Sequence, residues 1–198
     1  LIASALFKNY HTFFPRSEKA EEAFYMHAFA LNLSSPKPSL DQTYSYKAID
    51  AFQLFINTYP SSERVAEANE NIDKLRKKLE VKALANAELY YKTKNYRAAA
   101  VAYENVLRGF PETDNAERVR YLITKSYYEF AKNSIICRRI ERYDQAVEAY
   151  LTFIDIYPES SRVKDAEGIY INCLKEKEWV QTEIEKSKID CNEQLKKT

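Results

Sequence analysis

Two histidines and three cysteines are the side chains best suited to metal binding or nucleophilic chemistry in these 198 residues, and their placement supports neither. His11 and His27 fall on different helical segments, without cysteine or carboxylate partners at the spacing a metal ion requires of its ligands. Cys137, Cys173 and Cys191 are odd in number and far apart, so no disulfide framework is readable and the redox compartment stays open. Cys173 lies in an apolar helical pattern, the setting of a core thiol rather than a nucleophile. No Ser/His/Asp or Cys/His grouping stands out, and the many acidic residues fall on solvent faces without a pair set apart for acid–base work. The expectation is a chain that is not an enzyme, with no catalytic residue, metal or cofactor.

Composition narrows the classes further. Only Gly109 and Gly168 occur, where an average usage of about 7% would predict roughly fourteen glycines. Phosphate-cradling loops and tight hairpins cannot be built from so few. Lys plus Arg number 30 against 29 Asp plus Glu, a formal net charge of +1 that gives no basic surface for nucleic acid or membrane. No stretch approaches the roughly 18 consecutive apolar residues of a membrane span. The opening LIASALFKNYHTFFP has a helical pattern, without the charged start or cleavage site of a signal peptide.

The elements that must position any binding residues emerge from self-comparison. Prolines stand at 15, 60, 111 and 158, each preceded by an aromatic: Phe14, Tyr59, Phe110 and Tyr157. Each is followed two positions later by a hydroxyl residue, Ser17, Ser62, Thr113 or Ser160, and in three copies by an acid, Glu18, Glu63 or Asp114. Proline ends one helix, and the hydroxyl is expected to cap the next. Counting back from each proline, alanine recurs at 3, 48, 99 and 146. An aromatic follows at 7, 52, 103 and 150, then a large apolar residue at 10, 55, 106 and 153. Spacings of four and three put these on one helical face, and the pattern is the second-helix half of a tetratricopeptide repeat. The fold expected is all-α, a tetratricopeptide-repeat solenoid of helix pairs.

The repeats are not uniform. The first-helix half is complete once, between Leu84 and Pro111, where Ala87 and Tyr90 precede Tyr96 and Ala99. Two other repeats carry ten extra residues at the same joint, roughly Leu33–Gln42, with Pro36 and Pro38, and Asn133–Arg142. From Ser62 to Lys94 there is no proline, glycine or turn cluster, and Val65, Ala68, Ile72, Leu75 and Leu79 step along one face. That predicts one helix of about 33 residues, roughly 50 Å long, bridging two layers. The solenoid is placed at 1–175, truncated at its N-terminal side. Residues 176–198 form a helical extension or cap, in which Val180, Ile184, Cys191 and Leu195 make a weak stripe.

Solenoids of helix pairs bind partners on the concave surface lined by their first helices. On the repeat register the groove-facing positions are His27, Glu88, Tyr91, Lys92, Tyr121, Lys125 and Tyr128. Tyrosine supplies contact area and a polar handle at low entropic cost. The alternative is that these tyrosines pack between repeats. Arg138, Arg139 and Arg142 are further candidates for an acidic partner, although a solvated loop is the simpler expectation there.

The run YPSSERVAEANENIDKLRKKLEVKALANAELYYKTKNYRAAAVAYENVLRGFPET resembles the BamD family, the D lipoproteins of the outer-membrane β-barrel assembly machinery. Its Y-P-x-S start, uninterrupted long helix, A-x-Y-Y and L-R-x-aromatic-P close carry the resemblance, which spans roughly residues 1–156. It implies a scaffold on the periplasmic face of the Gram-negative outer membrane, held by an N-terminal lipid anchor expected upstream of these residues. Implied partners are the barrel-inserting subunit, other assembly lipoproteins and unfolded outer-membrane proteins, with no nucleic acid. Another periplasmic repeat adaptor, of the type associated with the Tol–Pal system, is the alternative.

Overall fold

The computed structural model describes residues 2–188 and 191. Among the described residues the chain forms eight helices and no strand: α1 (Ile2–Phe13), α2 (Ala20–Leu33), α3 (Thr43–Thr58), α4 (Val65–Lys92), α5 (Tyr96–Gly109), α6 (Ala116–Lys132), α7 (Ile136–Ile156) and α8 (Val163–Ser187). They group into two compact units, Leu1–Lys82 and Ala83–Thr198. The all-α expectation holds.

Each proline turn is built the same way. The aromatic before the proline closes the outgoing helix, its amide donating to the carbonyl four residues back: Phe14 to Tyr10, Tyr59 to Phe55, Phe110 to Val106 and Tyr157 to Phe153, at 2.8–2.9 Å. Its own carbonyl then accepts the amide of the hydroxyl residue, at 3.1 Å in all four copies. The hydroxyl residue's carbonyl in turn accepts the amide of Ala20, Val65, Ala116 or Val163, the first residue of the next helix. The hydroxyl oxygen does not reach into the helix as expected. It accepts the amide two residues on, from Lys19, Arg64, Asn115 or Arg162, at 3.1–3.2 Å. This is an ST-turn placed ahead of the helix, so the hydroxyl orders the approach to the first turn rather than capping it.

Ser62 also donates to Glu21 at 2.5 Å and Ser160 to Glu117 at 2.6 Å, each a glutamate of the preceding first helix. Successive repeats are thereby tied through one side chain. Arg162 Nη1 adds a contact to Glu117 at 2.8 Å. The Glu117 carboxyl is held below its ordinary 4.5, chiefly by the Ser160 hydroxyl, with slight desolvation opposing and Arg162 assisting. A folded-state pKa below the unfolded one stabilises the fold at neutral pH, and this contribution fades as pH falls from about 4.5 through the folded value.

The first unit packs Phe24, Tyr25, Ala28 and Leu31 of α2 against Ala48, Phe52 and Phe55 of α3 and Ala68, Ile72 and Leu75 of α4. In the second, Ala87 from the last turns of α4 packs with Ala99, Tyr103 and Val106 of α5 and Val119 and Ile123 of α6. A further cluster joins Ala131, Tyr143, Ala146 and Cys173. Ala48, Ala99 and Ala146 have no exposed surface, so each lets a neighbouring helix approach closely. The register fails in α1, where Ala3 and Tyr10 are exposed and Ser4 is the buried residue. Ser4 faces α2, the helix on which α1 packs, and lies against His27 there.

α4 spans 28 residues, about 42 Å at 1.5 Å per residue, shorter than the sequence suggested. Its first expected turn belongs to the proline turn, and its end is set by Lys94, whose φ of 61° is left-handed. The two ten-residue insertions take different forms. Residues 34–42 are a loop, its Pro36 and Pro38 being incompatible with a helix interior. Gln42 is buried and donates to the Lys37 and Leu40 carbonyls at 2.9 and 3.0 Å. The second insertion, free of proline and glycine, extends α7 at its N-terminal end from Ile136. α8 runs through residue 175 without a break to Ser187; Val180 is fully buried, and Leu195 lies outside the described residues.

Cys173 is the core thiol expected, while the other two cysteines form a pair that spacing could not reveal, because distance along the chain says nothing of distance in the fold. Cys137 of α7 and Cys191 form a disulfide across 54 residues, and Cys173 is left as a buried thiol whose pKa burial pushes up to about 12. Thiol titration of the oxidised protein is expected to find no reactive group under native conditions and one after denaturation. Reduction before denaturation should raise the count to three, and a native count above zero would contradict the pairing. Ser160→Ala is expected to move the Glu117 pKa upward toward 4.5 in a carboxyl NMR titration. An unmoved value would show that the hydroxyl does not hold it.

Candidate protein-binding groove

An α-helix brings residues three and four apart onto one face, which puts Tyr121, Lys125 and Tyr128 in a row along α6. With α8 they line an open cavity of about 380 Å³. α6 contributes these three and Glu129; α8 contributes Lys164, Asp165, Gly168, Ile169 and Asn172. Tyr91, near the end of α4, adjoins the row: the Lys125 ammonium lies 5.8 Å from its ring centroid, and Tyr96 meets it edge-on at 5.3 Å. Glu88, one turn earlier, accepts a 2.6 Å charged hydrogen bond from Arg118. Lys92 is exposed at the last position of α4.

The tyrosines divide their surface between packing and the cavity. Tyr121 leans on Phe153 at 6.3 Å, and Tyr128 lies 6.1 Å from Tyr143 with Lys132 at 5.9 Å from its ring. Burial raises the pKa of all three groove phenols, Tyr91 to about 12, so they remain neutral hydroxyls at physiological pH. The cavity thus offers aromatic walls and both signs of charge, Lys125 and Lys164 against Glu129 and Asp165. Such a lining suits polypeptide, with its mixture of apolar side chains and amides. It holds no nucleophile beside a base, and no group of His, Cys, Asp and Glu placed to hold a metal ion exists among the described residues.

His27 belongs to the first unit and is engaged there. Its Nδ1 lies 2.8 Å from both the Ser4 hydroxyl and the Ser4 carbonyl, and burial lowers its pKa. That half-buried ring fixes α1 to α2. Arg138, Arg139 and Arg142 lie on helix α7, not on a solvated loop, because residues 136–142 hold no proline or glycine to break a helix. Arg139 Nε donates to the Ser134 carbonyl at 2.9 Å, Arg138 pairs with Glu141 at 3.2 Å, and Arg142 stacks on Phe130 at 4.1 Å.

The α8 wall is what the sequence reasoning missed, although a signal was present. Gly168 stands ten residues after Pro158, as Tyr121 stands ten after Pro111. One repeat therefore has no side chain where its neighbour has a tyrosine, and the space left is part of the cavity. A methyl group at Gly168 would meet nothing within 4 Å.

The profile of the family described as outer membrane lipoprotein, YfiO, matches residues 2–129 and again 80–192. The chain belongs to this family. Two overlapping matches are natural for a repeat protein, on which one pattern can be laid in more than one register. The chain is 30% identical over 113 residues to a putative outer membrane protein assembly factor BamD of Aquifex aeolicus, covering 57% of this chain and 37% of that one. It is 31% identical over 88 residues to the outer membrane protein assembly factor BamD of Buchnera aphidicola, 44% and 36% respectively. The chain spans little more than a third of the length of either relative. The family is thus that of the resemblance, and its lipoprotein description accords with association with the outer membrane. Among the described residues no helix is long and apolar enough to cross a membrane.

Because Gly168 sits in a helix interior with open space around it, Gly168→Ala is expected to raise stability by about 0.5–1 kcal/mol in chemical denaturation. A loss of stability would show that the cavity wall is not open as described.

Proposed function

We propose that this chain is a non-enzymatic scaffold on the periplasmic face of the outer membrane, lipid-anchored, that binds polypeptide partners during outer-membrane protein assembly. The observation that supports this most is the groove of the second unit, where Tyr91, Tyr121, Lys125 and Tyr128 gather beside the open position at Gly168. Family membership supplies the setting, and the names of the two relatives supply the process. The partners in this reading are the barrel-inserting subunit, other assembly lipoproteins and unfolded outer-membrane proteins. Affinity would come from the aromatic rings, which bury area at little entropic cost, and orientation from the flanking charges.

Pull-down with the full-length protein is expected to recover a barrel-assembly subunit, with about ten-fold lower recovery for Tyr91→Ala/Tyr128→Ala, the loss usual when central aromatic anchors are truncated. Recovery of a Tol–Pal component instead would replace the assembly reading with the adaptor one. Undiminished recovery by the variant would remove the groove from the proposal.

A further inference from the structure

α5 and α7 both pack on α6, and the space between them forms a trough. Its floor comes from Ile123, Tyr127 and Phe130. At about 100° per residue, these lie on the side of α6 away from Tyr121, Lys125 and Tyr128. The trough has two lobes, of about 480 and 390 Å³, that share Tyr127 and Gln145.

The smaller lobe is cationic. Arg97, Arg138 and Arg142 line it, against the single carboxylate of Glu141. Arg97 has no ion pair or hydrogen bond among the described residues. Arg142 is held in place: its guanidinium lies 4.1 Å from the Phe130 ring centroid and donates to the Ser134 hydroxyl. Burial, and then the neighbouring Arg138, lower its pKa, the mark of cations crowded together without full compensation. The disulfide at Cys137 tethers the same end of α7. Arg142 is thus fixed while Arg97 keeps its donors unspent, and guanidinium groups bind carboxylates through paired hydrogen bonds.

The larger lobe differs. Leu107, Ile123 and Ala149 give it apolar surface, while Glu104 and Glu148 outnumber its one cation, Arg120; Glu104 accepts a 2.7 Å bond from the Tyr127 hydroxyl. A continuous polyanion laid along the trough would meet these carboxylates, which disfavours nucleic acid or an anionic membrane surface. A ligand with one acidic position and an apolar neighbour meets complementary chemistry in both lobes.

We propose that this trough is a second binding site, for an extended segment of a protein partner whose acidic residue seats among Arg97, Arg138 and Arg142 and whose adjoining apolar residue lies on Leu107 and Ile123. It goes beyond the groove reading and does not depend on it, since the two surfaces share no residue.

The probe is an end-blocked, fluorescein-labelled octapeptide with two adjacent glutamates followed by two leucines, titrated with the oxidised protein by fluorescence anisotropy. Saturable binding is expected, weakened about ten-fold or more when glutamines replace the glutamates, and likewise by Arg97→Ala/Arg138→Ala. Both arginines are placed away from the core, and circular dichroism would verify that the variant keeps its helices. Equal affinity for the glutamine peptide, or undiminished binding by the folded variant, overturns the proposal. Inorganic phosphate or phosphatidylglycerol vesicles that bind more tightly than the peptide, and through the same arginines, overturn its assignment to a peptide.

Discussion

The proline turn is the constraint on which the other features depend. Proline has no amide to continue the outgoing helix, so the chain must satisfy the freed backbone groups within five residues and enter the next helix at a set angle. The aromatic carbonyl, the hydroxyl amide and the hydroxyl oxygen do this identically at residues 15, 60, 111 and 158. Because the turn is the same, the faces that meet after it are the same, and alanines 48, 99 and 146 arrive at close helix contacts each time. The serines of two turns then reach back to Glu21 and Glu117, which makes one side chain serve both the local turn and the join between repeats.

Binding surfaces arise where this regularity is interrupted. The groove of the second unit exists because the position occupied by Tyr121 in one repeat is Gly168 in the next. The arginine lobe exists because ten additional residues lengthen α7 and carry Arg138 and Arg142 toward Arg97 of α5. In the first unit an insertion of equal length forms a loop instead, pinned by Gln42 and by the Lys78 ammonium on Ser35 at 2.7 Å. Equal lengths give unlike structures because two prolines forbid in one what β-branched and basic residues permit in the other.

The repeat register, the helical class and the tyrosine row of α6 were legible because helical period and turn chemistry are local properties of sequence. Tyr121, Lys125 and Tyr128 could be placed on one face by counting alone. His27 could not be placed the same way: its role depends on Ser4 of a different helix, which no count from a proline reveals. The α8 side of the groove was encoded as the absence of a side chain, and an absence becomes a cavity only when another helix stands opposite.

By itself the sequence determined the proline turns that separate the helices, the faces that α3, α5 and α7 bury and the family they belong to. These follow from proline, hydroxyl and alanine positions that act over four or five residues. Tertiary structure alone decided that Cys137 meets Cys191 and that Arg97 joins two arginines about forty residues away. Those outcomes depend on the distance between elements remote in the chain, which is set by packing and not by any local preference.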